Sequence, residues 1–102
     1  MKLRHAAALA LAGWYLMAPG SADWVTFQHY TQGGDYSGPI YSPLKDWDRI
    51  GAFDTAAKCR TARWRLERKD APQPGSVAKT FAQFQARGAQ CIRSDDPSLK
   101  GN

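Results

Sequence analysis

Apolar positions along the chain gather into three stretches, separated by segments rich in Gly and Pro. The first is a nearly unbroken run, Ala6–Ala18. The second lies within Asp46–Leu66, DWDRIGAFDTAAKCRTARWRL. The third lies within Ser76–Arg93. Between the first two, Thr31–Pro43 holds three Gly and two Pro in thirteen residues, which predicts a loop or linker.

The second stretch organises the rest. Trp47–Phe53 predicts a short strand without strict alternation: Ile50 and Ala52 point opposite to Trp47 and Phe53. Apolar residues on both faces fit either a strand covered on both sides or a two-faced edge. Asp54-Thr55 then begins a helix, with Asp54 as the N-cap, its carboxylate accepting from free first-turn amides. Ala57 stands where Glu or Gln would complete a capping box. Ala56, Cys59, Ala62 and Leu66 recur at helical spacing and define the buried stripe, so Cys59 points inward.

Asp70–Gly75, DAPQPG, stops that helix. Ser76 then caps a second helix, in which Val77, Phe81 and Phe84 form an apolar stripe, and Gly88 ends it as a left-handed residue. Ala89–Arg93 predicts a second strand carrying Cys91. Ser94–Pro97 makes a turn and residues 98–102 a frayed tail. Residues 44–97 thus predict a small α+β domain of order β–α–α–β, its helices on one face of a sheet. Asp23–Tyr30 is β-prone: it supplies either a third strand or part of an extended aromatic arm over residues 23–43.

The first stretch changes the picture of compartment. Lys2 and Arg4 precede the Ala6–Ala18 run of 13 residues, and Gly20-Ser21-Ala22 offers small residues where a signal peptidase reads them. This predicts a secretory leader over residues 1–22 and a mature chain starting at Asp23, periplasmic or secreted. The run is short for a membrane span, which needs about 20 apolar residues. Of the chain's 102 residues, 80 would remain. Losing Lys2 and Arg4 lowers 14 basic residues to 12 against 9 acidic ones, so the net charge falls from +5 to +3. That mild basicity does not argue for nucleic-acid binding.

Eighty residues give a marginal core, and small exported domains are commonly stapled. Two cysteines in an exported chain most simply form one bridge, Cys59–Cys91; two free thiols or a metal pair are the alternatives. A metal site would need further ligands, and His29, the one histidine beyond the leader, lies far from both cysteines in sequence. No metal or cofactor is expected.

Three patches also carry a resemblance. Trp14-Tyr15-Leu16-Met17-Ala18-Pro19, Phe53-Asp54-Thr55-Ala56-Ala57-Lys58-Cys59 and Cys91-Ile92-Arg93-Ser94-Asp95-Asp96-Pro97 together resemble a group of short, exported bacterial proteins of unassigned function. Lys58 stands where that group often has an acid. The resemblance implies export and a small Cys-bridged domain, and no activity.

Arg60, Trp64 and Arg68 lie four residues apart on one helix face, away from the Ala56/Cys59/Leu66 stripe. A Trp flanked by guanidinium groups suits a flat or anionic ligand through stacking and cation–π contact. The competing account is a Trp packed under a neighbouring segment with solvated arginines around it. Asp95-Asp96 could bind a hard cation, but turn capping suits adjacent carboxylates better. His29 is a conceivable general base with no nucleophile motif beside it. Two functions follow as expectations. The first is a non-catalytic exported protein binding an envelope protein or an anionic ligand. The second is a small envelope hydrolase or redox enzyme, which would need His29 against Asp95 or Asp96, or a reducible Cys59–Cys91 pair.

Overall fold

In the computed structural model, residues 13–31 and 41–100 are described. Three strands form one sheet: β1 (Trp14–Ala18), β2 (Asp48–Phe53) and β3 (Gln90–Arg93), in the order β2-β1-β3. Both neighbours run antiparallel to β1, so β2 and β3 are parallel to each other but never touch as a pair. The helices are α1 (Ser21–Thr31), α2 (Ala56–Asp70) and α3 (Phe81–Gly88). Single 3₁₀ turns at Leu44–Asp46 and Pro97–Lys100 pack against each other. The α+β class and the disulfide are as expected. The element order is β–α–β–α–α–β, longer by one strand and one helix than the sequence reading.

The added strand is the main correction. Trp14–Ala18, read from sequence as the end of a leader, is the middle of the sheet. Trp14, Leu16 and Ala18 alternate onto the face covered by α2, where Leu16 and Ala18 join Cys59 and Ala89 in the core and Phe53, Ala62, Leu66 and Cys91 pack around them. The backbone groups on both sides of β1 are spent on ladder bonds, and the Gly13 carbonyl accepts a further one from the Ser94 amide at 3.0 Å. β1 is thus the strand that holds β2 and β3 together in one sheet.

The second correction is α1. The β-prone Trp24, Val25, Thr26, Phe27 and Tyr30 predict a strand or extended arm over residues 23–30. They form a helix instead, because Trp24 and Phe27, three apart on one helical face, both pack on Phe84 of α3, with centroids 5.4 and 5.0 Å away. Tyr41 contacts both Phe84 and Trp47, its ring tilted to each. Packing has outweighed propensity. Asp23, 4% exposed, anchors the first turn: its carboxylate accepts from the Ser42 amide at 3.0 Å and from the Ser42 hydroxyl at 2.6 Å. The rest of the proposed arm, residues 32–40, lies outside the described residues.

Smaller differences have local causes. Thr55, not Asp54, caps α2, accepting from the Lys58 amide at 3.1 Å. α3 begins at Phe81, not after Ser76: Thr80 accepts from the Gln83 amide while the Gln83 side chain accepts from the Lys79 amide, a box-like cap that leaves Val77 exposed. Pro97–Lys100 is an ordered turn and not a frayed tail. Gly88 is not left-handed; among the described residues the only positive φ is that of Gly75, in the DAPQPG turn. Gly88 is small for another reason, since a Cβ there would sit 2.9 Å from Cγ of buried Pro19.

The bridge joins Cys59 on the inner face of α2 to Cys91 on β3, with Cα atoms 6.1 Å apart. Two outcomes are expected. Cys59→Ser should lower the unfolding free energy by about 3–4 kcal/mol for the loop released, and equal denaturation midpoints for the two proteins would refute this. Gly88→Ala should cost about 1–3 kcal/mol by forcing Pro19 or the end of α3 aside, measured in the same way.

Candidate functional site

The site is the outer face of α2. The helix sits on the sheet through Cys59, Ala62 and Leu66, and this contact fixes what its other side shows. Six residues of α2 are basic (Lys58, Arg60, Arg63, Arg65, Arg68, Lys69) and two are acidic (Glu67, Asp70). Two of the cations are engaged one turn along the chain: Lys58 with Asp54 at 3.1 Å and Arg63 with Glu67 at 3.1 Å. The Lys58 hydrogen bond and charge hold the Asp54 carboxyl below its ordinary range. That pair adds to stability above the ordinary carboxylate pKa, and the contribution fades as pH falls through the lowered one.

Arg60, Trp64 and Arg68 all lie on the exposed face. Trp64 is 53% exposed, which rules out the account in which it packs under a neighbouring segment. The Arg68 guanidinium stacks on its ring, 4.6 Å from the centroid. This geometry follows from helix direction: side chains lean toward the N-terminus, so the residue one turn later reaches back over the earlier one. Arg68 thus covers one face of the indole, and the residue as a whole stays half-exposed. Arg60, one turn earlier, is exposed and makes no ion pair among the described residues. Arg65 and Lys69 are likewise exposed and unpaired there.

α2 also borders a feature that the sequence pattern did not reveal. An open cleft of about 430 Å³ is floored by Phe53, Ala57 and Ala62 and edged by Thr61, Lys58 and Arg65. Its signal was present, since Ala57, Thr61 and Arg65 also recur every four residues. What the sequence lacked was the position of Phe53, at the end of β2. The cleft gives the basic face an apolar shelf.

The other candidates do not assemble. His29 is exposed in the last turn of α1 and makes no ion pair with Asp95 or Asp96. Asp95 pairs with Arg93 at 3.2 Å, and Asp96 accepts from the Ser98 amide at 2.8 Å, the turn-capping role. Among the described residues no group of three or more His, Cys, Asp and Glu is placed to hold a metal ion, and no helix is long and apolar enough to cross a membrane. No protein family, curated protein or solved structure matches the chain. Its own geometry therefore defines its class: an α+β domain with one disulfide and an exposed basic, aromatic helix face.

The two sides of α2 should separate under mutation. Trp64→Ala is expected to change stability by no more than about 1 kcal/mol, since it removes an exposed ring and one cation–π contact. Leu66→Ala should cost about 2–3 kcal/mol, the low end for a Leu truncation, because Leu66 is only partly buried. Equal losses in chemical denaturation would mean that Trp64 is part of the core after all.

Proposed function

We propose that this is a small exported, non-catalytic protein that binds an anionic ligand on the outer face of α2. The reading rests on one observation above the rest: a half-exposed Trp64 under a stacked Arg68, with exposed Arg60 and Arg65 on the same helix. A large aromatic kept in water contributes little to folding, and Trp and Arg are the residues that most often anchor binding. In this arrangement the guanidinium groups take the negative charges, and the exposed part of the indole and the Phe53 shelf take the flat or apolar part. Export accords with the disulfide and with the resemblance to short exported bacterial proteins. The partner is then either a small anionic molecule of the envelope or an acidic patch on an envelope protein.

A naphthalene disulfonate probe, which combines a ring with fixed negative charges, tests the face directly by calorimetric titration. Binding should fall at least tenfold in Trp64→Ala and in the Arg60→Glu/Arg68→Glu pair. It should weaken as ionic strength rises toward about 1 M, where screening acts within about 3 Å. Unchanged binding by Trp64→Ala would remove the site. Comparing what wild type and Trp64→Ala retain from an envelope extract would then identify the natural partner.

A further inference from the structure

We infer that a cleft beneath the carboxyl end of α2 receives the free amino terminus of an extended, apolar peptide. The cleft has a volume of about 340 Å³. Leu16, Ile50, Phe53 and Leu66 make most of its walls, and Asp70 and Gln85 are its two polar residues. Both present acceptors. Asp70 is half-buried and, among the described residues, makes no ion pair or hydrogen bond. Its neighbour Lys69 is exposed and does not pair with it. As the last residue of α2, Asp70 also stands where the helix already carries partial negative charge, so the helix does nothing to balance its carboxylate. Gln85 engages its amide nitrogen with the Pro19 carbonyl at 3.1 Å and the Asp48 carboxylate at 2.8 Å. Its side-chain oxygen has no partner among the described residues. Apolar walls with acceptors alone are complementary to an ammonium group on an apolar body.

The surroundings of the cleft favour a peptide over a small amine. Ile50 and Phe53 belong to β2, an outer strand that pairs with β1 on one side only. Beyond the bulge at Ile50, Gly51, Ala52 and Phe53 keep regular register with Leu16, Tyr15 and Trp14. Alternate amides and carbonyls on the outer side of that stretch are therefore set for another strand. The cleft also continues along α2, since Phe53 and Ala62 line the 430 Å³ cleft on the helix flank as well. A peptide whose amine meets Asp70 and Gln85 seats its first apolar side chain among Ile50, Phe53 and Leu66 and then runs past Phe53, parallel to β2. At about 3.3 Å per residue, the stretch from Ile50 to Phe53 covers about 10 Å, the length of three peptide residues. Main-chain bonds to the open edge supply affinity, and the acceptors and the apolar walls select the end that enters. The site uses none of Arg60, Trp64 and Arg68, so it is separate from the anionic-ligand face, although the two share the Phe53 shelf.

The test is a calorimetric titration of the full chain, its disulfide formed, with trileucine amide carrying a free amino terminus. The wild type should bind this probe, and acetylating the probe's amine should weaken binding about tenfold or more. Asp70→Asn should cause a similar loss with the free probe, while Trp64→Ala should bind it as the wild type does. The acetylated probe makes the comparison on unaltered protein, so the result does not depend on how the variant folds. No binding by the wild type at millimolar probe, or equal binding of the free and acetylated probes, overturns the site. Hexylamine bound as tightly as trileucine amide overturns the peptide assignment. Loss of binding in Trp64→Ala would move the peptide to the anionic-ligand face and overturn this site too. The disulfonate titration reads that other face, so the failure of one reading is distinguishable from the failure of the other.

Discussion

The pairing of β1 with both of its neighbours is the constraint on which the rest of the molecule depends. Five residues supply the ladder for two other strands, the apolar face on which α2 lies, and the lead-in to Pro19, against which Gly88 closes. The disulfide adds a link of a different kind. It ties α2 to β3, an outer strand of only four residues, and so holds in place the element with the fewest ladder bonds of its own. A domain within a chain of 102 residues has little apolar surface to spare, and a ladder shared on both sides plus one covalent tie is an economical way to fix three strands.

A second cluster stands apart from this core. Phe84 sits at 2% exposure with Trp24, Phe27 and Tyr41 around it, and Trp47 leans on Tyr41 while donating to the Ser42 carbonyl at 2.8 Å. Five aromatic rings thus seat α1 on α3 at one end of the domain. The basic face of α2 lies outside both clusters, and none of its exposed cations is needed to hold either together. That separation is the physical ground for regarding the face as free to contact something else.

Much of the domain was legible where local rules and packing agree. The Trp47–Phe53 strand is marked by its apolar residues and the helix entry that follows, the Cys59 stripe by its helical spacing and the Cys91 strand by a short apolar run, and all three occur close to where those signals place them. Trp64 and Arg68 were legible as neighbours because four-residue spacing leaves helical side chains little choice. β1 was not, because a leader and a buried central strand share one signature, a short run of apolar residues. α1 was hidden for the opposite reason: its residues favour a strand, and the contact that decides otherwise, with Phe84, lies about sixty positions further on. The broken alternation of β2 also has a structural resolution. The register shifts opposite Leu16/Met17, so that Leu16 faces Gly51 while Met17 faces Arg49, and Ile50 is the extra residue of a bulge. Ile50 and Phe53 consequently line the same cleft under α2, although simple alternation would set them on opposite faces.

The position of the central strand at the start of the chain also bears on how the protein folds. Trp14 pairs with Phe53 and with Arg93, so the second edge of β1 is satisfied only by the last strand to be made. A chain made from its amino end delivers Trp-Tyr-Leu-Met first and leaves it without partners until Cys91 and Arg93 have followed. Long-range pairings of this kind close slowly, and an apolar strand with open edges is prone to wrong associations while it waits. The same order delays the correct disulfide, since Cys91 arrives 32 positions after Cys59. Assembly is therefore all-or-none at the carboxyl end: a chain cut short before β3 would lack the bridge, an edge of the sheet and the last cover for its own first strand.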